Sequence, residues 1–219
     1  MRSHEDGRTA SQIPEVVVMR LPLYARALAV LEKESQEVVS SNELAARLQV
    51  TPAQIRKDLS YFGRFGKQGR GYNVGHLLSH IRRILGLDRQ WSMALVGVGR
   101  LGRALLHYGA FAAEGFKLVA AFDSDRRQIG TQIDGVVIQS MEELSSTIRT
   151  REVNICIIAV PALKAQEVID MVVQCGVRAI LNYAPIACRV PGDVCIREID
   201  PICALQSMTF HLKAPRIVS

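Results

Sequence analysis

Residues 92–102 read S-M-A-L-V-G-V-G-R-L-G, and 21 residues after the last of these glycines a second apolar run, K-L-V-A-A-F (117–122), ends at Asp123. A short apolar strand, glycines at 97, 99 and 102, a helical pattern through Ala104, Leu105 and Tyr108, a second strand and then an acid form the dinucleotide-binding unit in its required context. Gly97 allows the tight turn. Gly99 lets backbone N–H groups approach a pyrophosphate at the helix N-terminus, and Gly102 lets helix and strand pack closely. Asp123 stands where a carboxylate accepts hydrogen bonds from an adenosine ribose. A lone G-x-G-x-x-G is weak because glycine is common; the agreement of all five parts is what decides the fold.

The same alternation continues downstream. Strands are expected at Gly135–Ile138, Val153–Val160, Ala179–Asn182 and Asp193–Ile199, with helices at Met141–Arg149 and Ala162–Gln174. The run V-N-I-C-I-I-A-V (153–160) has the composition of a strand covered on both faces of a parallel sheet. Residues 90–199 therefore read as an α/β domain, a Rossmann-like doubly wound parallel sheet. In D-P-I-C-A-L-Q-S-M-T-F-H-L (200–212), Asp200 is an N-cap and Pro201 fits the first helical position. This last helix, 200–213, is apolar around most of its circumference, so it needs more than one surface to cover it: its own chain or a partner subunit. Residues 214–219 read as a tail.

Upstream lies a different kind of domain, 14–86. After a polar tail (1–13), a helix is expected over Pro14–Glu34, with Pro22 in its first turn or dividing it from a preceding turn. Ser40 with Glu43 makes a capping box, and Thr51-Pro52 with Gln54 sets out another, so two short helices meet across Gln49–Thr51 as a helix-turn-helix. Then comes G-R-F-G-K-Q-G-R-G-Y-N-V (63–74), where Arg64, Lys67 and Arg70 alternate with glycines 63, 66, 69 and 71. Glycine at this density makes a hairpin, and a plain linker has little need of three cations and two aromatics. A winged helix, with one helix for the major groove and a hairpin for the flanking backbone, accounts for the whole segment. A helix over Val74–Leu85 closes the domain and Gly86–Arg89 links it onward.

Charge agrees with that division. Residues 1–90 hold 14 Lys/Arg against 9 Asp/Glu, whereas residues 91–219 hold 13 against 12. A basic first part suits an anionic polymer. Five cysteines (156, 175, 188, 195, 203) form no C-x-x-C pair, which argues against a disulfide framework or a zinc site and for a reducing cytoplasm. The chain reads as a soluble intracellular protein. No catalytic motif accompanies the glycine loop, the five histidines are poorly placed for proton transfer, and little chain is left for a substrate domain. A bound cofactor that is not consumed is the leading reading; the alternatives are an NAD-dependent oxidoreductase or a Rossmann protein for another nucleotide-like ligand such as S-adenosylmethionine or coenzyme A.

I-R-K-D-L-S-Y-F-G (55–63), F-G-x-x-G-x-G-Y-x-V (65–74), G-V-G-R-L-G (97–102) and N-Y-A-P (182–185) together resemble the Rex family of redox-sensing transcriptional repressors, over residues 14–213. The resemblance implies a homodimer that binds palindromic operator DNA and is released when NADH rises relative to NAD. It implies that Arg56 and Lys57 lie on the recognition helix, with Ser60 and Tyr61 towards its end, and that Arg64, Lys67 and Arg70 decorate the wing. Gly97, Val98, Gly99, Arg100, Leu101 and Gly102 match the cofactor loop, with Asp123 as the ribose acid and Tyr108 beside them. The last helix would be swapped between subunits. Arg26, Tyr108 and Asp200 occupy the places of a coupled switch. Two features depart from the pattern: a tail longer than the motif requires, and Pro201 where similar proteins often carry a larger apolar residue.

Overall fold

The computed structural model describes residues 13–67 and 70–213, and the chain divides between Arg89 and Gln90 into two units, each with its own core. All but Ile13 of the tail expected at 1–13, the tail at 214–219, and Gly69 of the wing lie outside the described residues. In the first unit, α1 (Glu15–Lys33) buries Val17, Leu21, Tyr24, Leu28 and Leu31 at helical spacing. Pro22 neither starts nor divides this helix. It lies inside on the exposed side, where water can take the carbonyl that loses its partner.

The two short helices follow, α2 (Ser41–Leu48) and α3 (Pro52–Ser60). Ser40 and Glu43 form the reciprocal box, with N···O distances of 3.1 and 2.7 Å. Gln49, at φ 54°, turns the chain out of α2, and Thr51 Oγ1 accepts the Gln54 N–H at 3.1 Å to start α3. The second box does not close. The Gln54 side chain turns away from the cap and donates to Asp58 at 2.6 Å. The wing strands β2 (Gly66–Lys67) and β3 (Gly71–Asn73) are joined by β1 (Val38–Val39), which pairs with the other side of β3. Gly71 carries φ +71°, and a Cβ there would sit 2.7 Å from the Val39 carbonyl oxygen. Asn73 then caps α4 (Val74–Ile84), which packs on α1.

The second unit is a seven-stranded sheet. Its strands are β4 (Trp91–Val96), β5 (Phe116–Asp123), β6 (Gln132–Ile133), β7 (Val136–Ser140), β8 (Ile155–Ile158), β9 (Ala179–Asn182) and β10 (Cys195–Glu198). Their spatial order is β10-β9-β8-β4-β5-β7-β6, parallel throughout except for β6. Omitting β6, this is the doubly wound order, reversing direction at β4. The short β6 enters as a hairpin with β7 through Asp134 and Gly135, both at positive φ, a turn that a D-G pair favours. Adjacent residues of β4 face opposite cores. Met93 and Leu95 pack with α5 (Arg100–Leu106), and Ala94 and Val96 with α7 (Leu144–Thr150) and α8 (Ala162–Gln174). Four-residue α6 (Ala110–Ala113) leads into β5. The last helix, α9 (Pro201–Lys213), is capped by Asp200, whose Oδ1 accepts the Ile202 N–H at 2.8 Å.

Candidate cofactor cleft and nucleic-acid interface

Because the chain leaves β4 towards one side of the sheet and β8 towards the other, their carboxyl ends part and leave a crevice. It has a volume of about 610 Å³, and its lining includes Gly97, Gly99, Asp123, Val160 and Pro161. The three glycines of the loop serve different purposes. Gly97 is at φ +95°, and a Cβ on it would lie 2.5 Å from the Ala159 carbonyl oxygen. A Cβ on Gly102 would lie 2.0 Å from the Gly97 oxygen. These two are demanded by the protein's own packing. A Cβ on Gly99 would meet nothing within 4 Å, so the protein's own packing does not demand glycine there, and the residue faces the open crevice. Gly99 is also the N-cap of α5, whose first-turn N–H groups have no intrahelical acceptors.

Asp123 ends β5 at the cleft. Its carboxylate already has work within the protein: Oδ2 accepts the Val98 N–H at 2.6 Å and Oδ1 the Asp125 N–H at 2.8 Å. It therefore pins the glycine loop, and its remaining lone pairs can still accept from a ribose. Val98 is fully buried, so it contributes packing and this one N–H. Arg100 and Leu101 are exposed at the start of α5. Nearby, Arg127 is gripped by Asp125 through contacts of 2.8–3.2 Å, and Arg103 donates to Gln128 at 2.9 Å.

Tyr108 follows α5, half exposed, with its ring edge-on to Phe111 at 5.0 Å. Burial first, and then the charge of Tyr108, push the Tyr183 phenol of the N-Y-A-P segment above its ordinary pKa. That segment is stapled by buried Asn182, which accepts the Ala184 N–H and donates to the Ala184 and Ile186 carbonyls. Asp200 caps α9 and also accepts the Cys203 thiol at 3.3 Å. Arg26 lies in the first unit, exposed on α1 beside an outward apolar stripe of Val16, Met19, Leu23 and Val30.

On the first unit, α3 turns Ile55, Asp58 and Leu59 inward and Arg56, Lys57 and Ser60 outward. Arg56 donates to Ser41 Oγ at 3.0 Å, a bond that spends one of its five donors. Ser60 Oγ donates back to the Lys57 carbonyl. Tyr61, half buried, caps the helix; Arg64 and Arg70 are exposed around the wing, and Lys67 stands in β2. Sequence reasoning did not single out Asp58. It is fully buried, and although burial raises a carboxyl's pKa, hydrogen bonds from Arg20, Tyr24 and Gln54 outweigh this and hold it below the ordinary value. The available signal was a charge between Ile55 and Leu59 on the inward face of a helix.

Among the described residues no cluster of three metal ligands occurs, and no helix is long and apolar enough to cross a membrane. All five cysteines are unpaired, and burial pushes the Cys156 thiol up to about 12.

Comparison with known proteins matches each unit. A family described as "Putative DNA-binding protein N-terminus" matches residues 12–60, and one described as "CoA binding domain" matches residues 88–186. The redox-sensing transcriptional repressor Rex of Chloroflexus aggregans is 53% identical over 93% of this chain and 96% of its own. The same-named protein of a Roseiflexus species is 55% identical over 91% and 90%. Among solved structures, RSP in complex with β-NAD+ and operator DNA superposes with a TM-score of 0.88 at 36% identity, covering 94% of both chains. RSP in complex with β-NADH gives 0.84 at 34% identity, covering 94% of this chain and 95% of the other.

Proposed function

The chain belongs to the Rex family of redox-sensing transcriptional repressors, and from that premise we propose how its two units divide the work. The first reads operator DNA, with Arg56 and Lys57 of α3 at base edges and phosphates, Ser60 and Tyr61 at the helix end, and Arg64, Lys67 and Arg70 on the flanking backbone. The second binds NADH or NAD across Gly97–Gly102, with the pyrophosphate in the space before Gly99 and the adenosine ribose on Asp123. NADH favours the state with low DNA affinity, so operators are released as NADH rises relative to NAD. The cofactor acts as an effector and is not consumed, and the protein acts in the cytoplasm. The observation that carries this reading is the pairing, in one chain, of an outward cationic helix and wing with an open crevice at the sheet's switch point.

The working form is a homodimer on a palindromic site. In support, α9 leaves Ile202, Leu205, Met208, Phe210 and Leu212 between 56% and 84% exposed on its own chain. This much apolar surface calls for a partner. A helix swapped into the other subunit would cover it, and would set Asp200 near the groups that sense the nicotinamide.

NADH and NAD differ by a hydride and one charge, so discrimination has to arise at the nicotinamide and not at the shared pyrophosphate. Arg26, Tyr108 and Asp200 are the switch residues of this proposal. Tyr108→Phe and Asp200→Ala should keep cofactor-free operator affinity within about tenfold, roughly 1.4 kcal/mol, and should still bind NADH. The factor by which NADH weakens DNA binding should fall, and by reciprocity DNA should weaken NADH binding by the same factor. Operator titrations with and without NADH, at a dimer concentration fixed by sedimentation, test this. An unchanged NADH response in both variants refutes the switch assignment. Steady turnover of NADH with a small carbonyl compound would favour the oxidoreductase reading instead.

A further inference from the structure

The buried charge of the first unit has no role in the scheme above, and its partners show what it does. Arg20 Nε and Nη2 donate to Asp58 Oδ2 and Oδ1 at 2.6 and 2.8 Å, Tyr24 Oη donates to Oδ2 at 2.6 Å, and Gln54 Nε2 donates to Oδ1 at 2.6 Å. Four bonds thus saturate one carboxylate, three of them from α1. As a device for stability this is poor. Desolvating both ions offsets much of their attraction, and an apolar replacement of similar shape is often as stable. What apolar contact lacks is direction. Ile55 and Leu59 alone would hold α3 on α1 through a range of small rotations, whereas a forked guanidinium, a phenol and an amide on one carboxylate admit a single orientation.

That orientation matters because Arg56 and Lys57 directly precede Asp58 on the same helix. A side-chain tip 5–6 Å from the helix axis moves about 1 Å when the helix turns by about 10°. A recognition contact has to be held to roughly 0.5 Å. We infer that Asp58 is a positioning residue for operator reading: clamped by Arg20 and Tyr24 of α1 and by Gln54, it fixes the rotation of α3 and makes α1 and α3 one rigid lever. This rests on the repressor reading above.

The test replaces the polar cluster by apolar groups of similar size. A triple variant, Arg20→Met with Tyr24→Phe and Asp58→Leu, leaves no buried ion unpaired. Duplexes selected from a random pool by the unaltered chain define its site, and affinity is then measured for that site and for a scrambled duplex. The triple variant should melt within a few degrees of the unaltered chain and bind NADH within twofold. Its affinity for the scrambled duplex and its salt slope should also hold, while its preference for the selected site falls about tenfold. Tyr24→Phe alone, which removes one hydroxyl, should lose about threefold of that preference and keeps the inference open to refutation if the triple variant fails to fold. A folded triple variant, or Tyr24→Phe, with native preference overturns the inference. If the unaltered chain selects no site, the repressor reading itself fails and takes the inference with it.

Discussion

The three glycines of the cofactor loop make a prediction in which stability and binding separate. At Gly99 the backbone is at φ −68°, ψ −162°, open to any residue, and an added Cβ meets nothing within 4 Å. Alanine is a poorer N-cap than glycine by a few tenths to 1 kcal/mol, and the stiffer unfolded chain returns about 0.4–1 kcal/mol. The melting temperature of Gly99→Ala should therefore stay close to native. NADH binding should weaken at least tenfold, about 1.4 kcal/mol, because the methyl group occupies the approach assigned to the pyrophosphate. Gly102→Ala should behave in the opposite order. Its Cβ would sit 2.0 Å from the Gly97 oxygen and 3.0 Å from the Gly97 carbonyl carbon. Since that obstacle is backbone, no rotamer relieves it, and the cost lies at the upper end of overpacking, about 3 kcal/mol. Helix propensity returns about 1 kcal/mol. A net loss of about 2 kcal/mol should lower melting of the second unit by roughly 6–10 °C. Calorimetric melting without cofactor and NADH titration on both variants give the answer. Native NADH affinity in Gly99→Ala would place the pyrophosphate elsewhere, and a melting point as low as that of Gly102→Ala would deny that the space is open.

Operator binding should lose about 1–3 kcal/mol in Arg56→Ala if the guanidinium reads a guanine edge; Lys67→Ala should weaken all duplexes alike and reduce the salt slope by about one. The opposite pattern in filter-binding titrations would exchange the roles of helix and wing. Asp123→Asn should weaken NADH roughly tenfold and narrow its preference over NADPH, because the charge that repels a 2′-phosphate is gone while Arg127 stays paired with Asp125; equal affinity of the unaltered chain for both cofactors would refute this. Acid should loosen the first unit. The Asp58 carboxyl is held below its ordinary value of 3.8, so its contribution is complete above the range where an unfolded aspartate titrates and is lost as pH falls through the folded value. Melting of that unit should fall more steeply below about pH 4 in the unaltered chain than in Asp58→Asn, with exposed Glu43, shifted the same way, adding little.

What could be read from the sequence follows from how local each signal is. The glycine loop and its flanking strands are set by spacing within 32 residues, and Ser40–Glu43 within four, so both are visible in one dimension. The D-G turn at Asp134–Gly135 is equally local, but the strand before it, Gln132–Ile133, is too short to show a periodicity. Strand β1 is invisible for a different reason: Val38 and Val39 become a strand only because β3, over thirty residues later, offers them an edge. Gln54 matches a capping pattern in which its Oε1 would accept the Thr51 N–H, yet the buried carboxylate one turn on takes its Nε2–H and draws the side chain away. Asp58 itself shows the limit most clearly. An aspartate among I-R-K-D-L-S looks like part of a solvated charged face until the fold brings Arg20 and Tyr24 against it. Asp123 was readable as an acid at a strand end, but its bond to the Val98 N–H depends on the curl of the loop in three dimensions.

The exposure of α9 bears on the order in which the protein is made. Both cores close without the apolar face of residues 201–213, and a ribosome delivers those residues after everything that forms the cores. Because β10 ends two residues before α9 begins, the sheet is completed only as that helix emerges, and on the proposed homodimer pairing is a separate, second-order event whose rate depends on how many finished chains are present. On that reading, a chain at low concentration keeps Phe210 and Leu212 in water until it meets a partner.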